Sequence, residues 1–343
     1  MTSAILVRRS ARRRRPFVPS LLCAAVAVSG AVAAPWPALA APPELARVSV
    51  SASGVSYTGT SGPDTVIVSR AGTAAAPALH FDGTAPVQLG AGCTGVAGDN
   101  TRAVCFGLNG QLPRFTLATL AGNDTVVNAT TPAVRMTALL GFGDDTANGG
   151  AGIDTMHGND GKDTLRGNGD ADILTGGIGD DNLDGGPGLN DSLDGGPGAD
   201  TLNGGANDLD KLKYDERTAP VSVNLLAGVG GEAGENDKIV GGFEITILGK
   251  GDDSFTGTDQ RDIVFGESGA DVLLGNRGVD TLNGGKGNDF LVSGPGQPLV
   301  LGSPPNRDGV VDELEGAEDT DTCLPSTIDK DLNEDCETVI PFG

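Results

Sequence analysis

The sequence is poor in the side chains from which ordinary cores and ordinary active sites are built. Of its 343 residues only 4% are aromatic, with one tryptophan, three methionines and two histidines. That shortage argues against a conventional core, because too little bulky apolar volume is available to fill one. Basic residues are scarce as well, 23 Lys and Arg against 46 Asp and Glu, a net charge of −23. An acidic surface repels nucleic acid and anionic membranes and attracts cations. There is no HExxH and no GxSxG, so neither a zinc-protease helix nor a nucleophile elbow can be assembled. His157 falls where a solvent-facing residue is expected, and His80, in "ALHFDG", reads as a surface or turn histidine rather than a general base. No apolar run reaches the ~20 residues that a bilayer-spanning helix requires.

The longest apolar stretch belongs to an export signal. Arg8, Arg9 and Arg12 to Arg15 form a cationic segment, Val18 to Ala34 is largely apolar, and Ala38-Leu39-Ala40 is a small-x-small cleavage signal. The mature chain is expected to begin near Ala41. Cleavage removes six of the 23 basic residues and none of the 46 acidic ones, which moves the net charge from −23 to −29. Four cysteines then remain. Cys93 with Cys105 and Cys323 with Cys336 each close loops of about a dozen residues, worth roughly 3 kcal/mol apiece as disulfides. Neither pair has the tight spacing or nearby histidines of a zinc site.

What the chain has in abundance is glycine, 55 residues, together with 20 prolines and a strict arrangement of aspartate. In "GGAGIDTMHGNDGKDTLRGNGDADILTGGIGDDNLDGG", residues 149 to 186, aspartate recurs every nine residues. The series runs Asp145, Asp154, Asp163, Asp172 and Asp181, then after one-residue insertions Asp191, Asp200 and Asp210. A second series runs Asp253, Asp262, Asp271, Asp280 and Asp289. Two residues past each stands an apolar residue: Ala147, Met156, Leu165, Leu174, Leu183, Leu193, Leu202 and Leu212, then Phe255, Val264, Leu273, Leu282 and Leu291.

A period of nine fits six residues of tight turn and three of strand, with the central strand residue facing inward. Two such units make one coil of a flattened helix, and small aliphatics suffice for its narrow interior. Aspartates of successive coils would then stack at about the ~4.8 Å strand spacing. Carboxylates that close repel by roughly 1 to 4 kcal/mol per pair, depending on dielectric, so a cation must lie among them. Carboxylate and bare turn carbonyl are hard oxygen donors, which suit calcium with its 6–8 flexible ligands better than magnesium.

The segments "GGAGIDTMH", "GGIGDDNLD", "GGPGADTLN" and "GGKGNDFLV" resemble the GGxGxDxUx nonapeptide of the RTX, or haemolysin-type, calcium-binding repeats. The resemblance implies an all-β fold, a right-handed parallel β-roll with several calcium ions between adjacent turns, held by the sixth-position aspartates and turn carbonyls. On this sequence those ligands are Asp145, Asp154, Asp163, Asp172, Asp181, Asp191, Asp200, Asp253, Asp262, Asp271, Asp280 and Asp289. Asp170 and Gln260 replace a fourth-position glycine, and the insertions before Asp191 and Asp210 are expected to break register and leave incomplete sites.

The organisation that follows is a leader (1–40), a β-rich N-terminal region (41–118), a first array (119–213), an interruption with strands (214–247), a second array (248–301) and a C-terminal cap (302–343) stapled by Cys323 and Cys336. "GTSGPDTVI" (59–67) and "TLAGNDTVV" (119–127) are degenerate copies of the nonapeptide, so the N-terminal region reads as the start of the same solenoid, stapled by Cys93 and Cys105. Typical RTX proteins leave the cell without a cleaved leader, and this chain departs from them there. The expected function is that of a secreted calcium-binding β-roll that folds on binding calcium, with a structural, adhesive or surface-interaction role and no catalysis. Its partners are calcium ions, with no nucleic acid and no membrane span, and no motif names an extracellular target. The competing reading is a secreted hydrolase whose catalytic residues lie before residue 140.

Overall fold

The computed structural model describes residues 44–72, 77–107, 114–131, 133–206 and 209–292, together with the backbone of four short strands between 313 and 339. All regular structure among these residues is β. The leader and the Cys323–Cys336 pairing lie outside the described residues.

The nine-residue period becomes geometry in the repeats. Thr155–Asp160 pairs in parallel with Ile173–Ile178, and Thr164–Arg166 with Asn182–Gly186, so each chain turn of two nonapeptides lays one strand on each of two sheets. In the register Met156↔Leu174 and Leu165↔Leu183 the apolar residues stack directly. Ala147, Met156, Leu165, Leu174, Leu183, Leu193, Leu202, Leu212, Phe255, Val264, Leu273, Leu282 and Leu291 are all 0–1% exposed. Each buried Leu contributes on the order of 1.5–3 kcal/mol, which is how a chain with few aromatics still acquires a core. The architecture is the expected all-β roll.

The insertions do not break the stack. Ser192 pairs opposite Ile173 and Lys211 opposite Ser192, in register with the coils before them. The extra residue is taken up in each turn by a left-handed residue directly before the aspartate, Asn190 at φ 65° and Leu209 at φ 78°. Asp170 likewise adopts φ 65° where the repeat ordinarily has glycine.

Ahead of the repeats the roll is only half of the structure. Gly54–Thr58 runs parallel to Phe115–Ala118, and Thr65–Gly72 to Thr125–Asn128, which carries both sheets to the start of the domain. Ala46–Ser51, Pro77–Gly83, Cys93–Val96 and Asp99–Phe106 pair antiparallel instead. The simple inference of an unbroken solenoid start is corrected to this extent: Asp99–Phe106 lies antiparallel between Pro77–Gly83 and Cys93–Val96, tied to the latter by the Cys93–Cys105 disulfide with Cα atoms 4.0 Å apart, while Val87–Leu89 runs parallel to Ala46–Ser51. Aromatics gather here, with Phe81 stacked on Tyr57 and edge-on to Phe115, all buried. His80 lies on Pro77–Gly83 and is partly buried, not a surface turn.

At the interruption the two sheets behave differently. In one, Lys211–Lys213 passes directly to Ile245–Ile247 in parallel register. In the other, Ser222–Asn224, Val229–Gly230 and Asp237–Gly241 form an antiparallel bridge between Thr201–Gly205 and Ser254–Thr256. Past Val292, Glu313–Glu315 and Thr322–Leu324 extend the two sheets in parallel.

Candidate metal centre

Each aspartate is the last turn residue before a strand, and the glycine five residues earlier makes room for it. A Cβ on Gly158 would collide with the Asp163 carboxylate, and one on Gly167 with that of Asp172. At the fourth position the backbone itself demands glycine: Gly161 has φ 141°, and a Cβ there would strike the Gly143 carbonyl of the preceding coil. Carbonyl oxygens therefore stand bare along the turn stack.

The carboxylates form two ladders. In the first, the Asp145 N–H donates to Asp163 Oδ1 at 2.8 Å, Asp163 to Asp181 at 2.7 Å, Asp181 to Asp200 at 2.8 Å and Asp200 to Asp237 at 3.0 Å. It resumes as Asp253 to Asp271 and Asp271 to Asp289, both at 2.8 Å. In the second, Asp154 donates to Asp172, Asp172 to Asp191 and Asp191 to Asp210 at 2.7–2.8 Å, and Asp262 donates to Asp280 at 2.9 Å. All twelve expected aspartates are at most 2% exposed. Insertion or not, Asp191 and Asp210 keep their places.

One oxygen of each carboxylate is thus committed, and the other decides what the site can hold. The Oδ2 atoms of Asp145, Asp163, Asp172, Asp181, Asp191, Asp200, Asp210 and Asp271 are buried without a hydrogen-bond partner. Buried polar atoms are ordinarily satisfied, so a column of orphaned carboxylate oxygens calls for a positive ligand. Burial first, and neighbouring carboxylates after it, push Asp145, Asp181 and Asp271 up to about 7 and Asp172 and Asp200 up to about 8. Among the described residues no three His, Cys, Asp or Glu side chains converge, so the remaining donors must be turn carbonyls. This donor set, paired carboxylates and bare carbonyls, fits calcium.

Not every rung is alike. Asp253 receives the Gly249 N–H on Oδ2 at 2.8 Å, and Asp262 receives the Thr258 N–H at 2.7 Å, so their own turns satisfy both. At the interruption the chain supplies its own cation. The Arg217 side chain, 10% exposed, pairs with Glu235 at 3.0 Å and donates to the turn carbonyl of Gly196. Tyr214 Oη donates to Asp237 Oδ2 at 2.8 Å, completing a rung with no oxygen left over.

Three members of the ladder fall outside the two regular series: Asp64, Asp124 and Asp237. The Asp64 N–H donates to Asp124 Oδ1, and that of Asp124 to Asp145 Oδ1, each at 2.7 Å. The signal for the first two was the Asp-Thr pair closing the degenerate copies 59–67 and 119–127. Asp237 has no periodic signal, since an antiparallel bridge brings it into line. His157 lies on the outer face of its strand, half-buried, away from both ladders.

A two-sheet parallel solenoid whose turns are lined with buried carboxylates and uncovered carbonyls belongs to the class of cation-stacked β-rolls. The particular family is given by comparison: the model of the RTX calcium-binding nonapeptide repeat (4 copies) matches residues 140–174, 157–190, 175–208, 247–273 and 266–298. Residues 140–208 and 247–298 therefore match RTX calcium-binding nonapeptide repeats, in two arrays separated by the interruption. No curated protein matches the chain. Among the described residues no helix is long and apolar enough to cross a membrane.

Proposed function

We propose that the protein is exported and folds outside the cell on binding several calcium ions, and that the resulting roll serves a structural, adhesive or surface-interaction role without catalysis. The observation that carries this reading is the column of buried Oδ2 atoms lacking any partner. Metal binding and folding are one equilibrium when a site exists only in the fold, and these sites are assembled from turns eighteen residues apart. Extracellular calcium modules bind at ~10⁻⁴–10⁻³ M, far above cytosolic calcium, so the chain would stay unfolded until exported. The cationic, apolar and small-residue segments of residues 1–40 support that route.

The test is far-UV circular dichroism of residues 41–343 during a calcium titration, with magnesium as control and Asp163→Ala and Asp280→Ala as probes. The expected result is a cooperative coil-to-β transition near millimolar calcium, absent with magnesium and shifted to higher calcium by the probes. Spectra that do not respond to calcium would overturn the reading.

A further inference from the structure

We propose that the roll carries a divalent-cation site ahead of the matched repeats, between the turns 59–64 and 119–124, with the carboxylates of Asp64 and Asp124 as its charged ligands. The proposal rests on the calcium reading above and extends it to a part of the chain that the repeat match, which begins at residue 140, does not reach.

The turns there stack as those of the repeats do. Gly122 has φ 119°, and a Cβ on it would meet the Gly62 carbonyl oxygen at 2.9 Å, while one on Gly59 would meet that of Thr119 at 2.9 Å. Asp64 and Asp124 are each 1% exposed. Asp64 Oδ2 accepts the Thr60 N–H at 2.6 Å and Asp124 Oδ1 accepts that of Asp64, but Asp64 Oδ1 and Asp124 Oδ2 have no partner. The Thr119 hydroxyl beside Asp124 donates to the Leu140 carbonyl at 2.7 Å. No lysine or arginine forms an ion pair with either carboxylate among the described residues.

A third orphan points the same way. The Tyr57 hydroxyl is buried and unpartnered, and it lies 3.4 Å from where a Cβ on Gly83 would stand, opposite Val66 two residues past Asp64. Two carboxylate oxygens and a phenol oxygen left unsatisfied at one end of the roll, beside bare turn carbonyls, make a hard-oxygen environment for calcium. The other ladder stops short. Its corresponding positions are Val55, Phe115 and Met136, all buried and apolar, before Asp154 begins the acidic column. Cations thus run to the N-terminal end along one edge of the roll only.

The chain has two tyrosines, Tyr57 and Tyr214, and its one tryptophan, Trp36, lies in the leader, so terbium in place of calcium offers a direct readout through tyrosine-sensitised emission. Residues 41–343 would be compared with Asp124→Asn, Tyr57→Phe and Tyr214→Phe, each checked for calcium-dependent circular dichroism, with bound calcium counted by equilibrium dialysis. Asparagine keeps an acceptor for the Asp64 N–H. The site predicts one calcium fewer per chain in Asp124→Asn, and emission in Tyr57→Phe reduced to what Tyr214 alone supports. An unchanged calcium count in folded Asp124→Asn, with full emission in Tyr57→Phe, overturns the site while leaving the calcium roll intact. Should Asp124→Asn not fold, the Tyr57→Phe emission decides alone. A wild-type chain that neither binds calcium nor responds to it would overturn the broader reading, and this site with it.

Discussion

Protons should be able to replace calcium in this fold, and the buried aspartates set where. Nine of them, Asp145, Asp154, Asp163, Asp172, Asp181, Asp200, Asp210, Asp262 and Asp271, are pushed by burial from an ordinary 3.8 to values from about 6 to about 8. Without a cation the folded chain therefore binds more protons than the unfolded chain between about pH 4 and pH 8. The stability those groups contribute is fully present below the unfolded value and is lost as pH rises through the folded values. One pH unit is worth about 1.4 kcal/mol per fully responding carboxyl, and less where solvent screens it. Summed over nine groups, lowering the pH from 8 to 6 favours the fold by several kcal/mol, comparable with the whole stability of a typical domain. The assay is far-UV circular dichroism in EDTA from pH 8.5 to pH 5.5, above the isoelectric point near 4.2. Strand signal and a cooperative thermal transition should appear on acidification without calcium. A chain that remains coil at pH 5.5, or one fully folded in EDTA at pH 8, would refute the reasoning.

Other perturbations test the packing. Leu183→Ala, between Leu165 and Leu202 in the stack, should cost about 2–5 kcal/mol in urea unfolding at saturating calcium. Gly161→Ala, forced into a left-handed turn against the Gly143 carbonyl, should cost about 1–3 kcal/mol and raise the calcium midpoint. Gly169→Ala, whose Cβ would lie 3.5 Å from its nearest neighbour at Ala151, should be near neutral in the same titration. Arg217→Met strands the partly buried Glu235 and the Gly196 carbonyl, a loss of roughly 3–5 kcal/mol that should split the thermal transition into one for each array.

The nine-residue spacing of aspartate and the apolar residue two places on were enough to determine the repeat unit, the inward face and the twelve buried carboxylates, because a turn of fixed length followed by a short strand leaves one geometry for each position. The same local logic marked Asp64 and Asp124 only faintly, since their turns lack the leading glycine pair. Three features were decided by the tertiary structure alone. Asn190 and Leu209 absorb the inserted residues by turning left-handed, which depends on the neighbouring coils already holding the register. Pro77–Gly83, Asp99–Phe106 and Cys93–Val96 pair antiparallel beside a disulfide and three packed aromatics, contacts between segments too distant in sequence for periodicity to reveal. Arg217, Tyr214 and Asp237 come together because the strands from 222 to 241 fold back between two coils. Local spacing specifies a rung, but which oxygens are left unsatisfied, and so where a cation is needed, depends on what the neighbouring coil places against it.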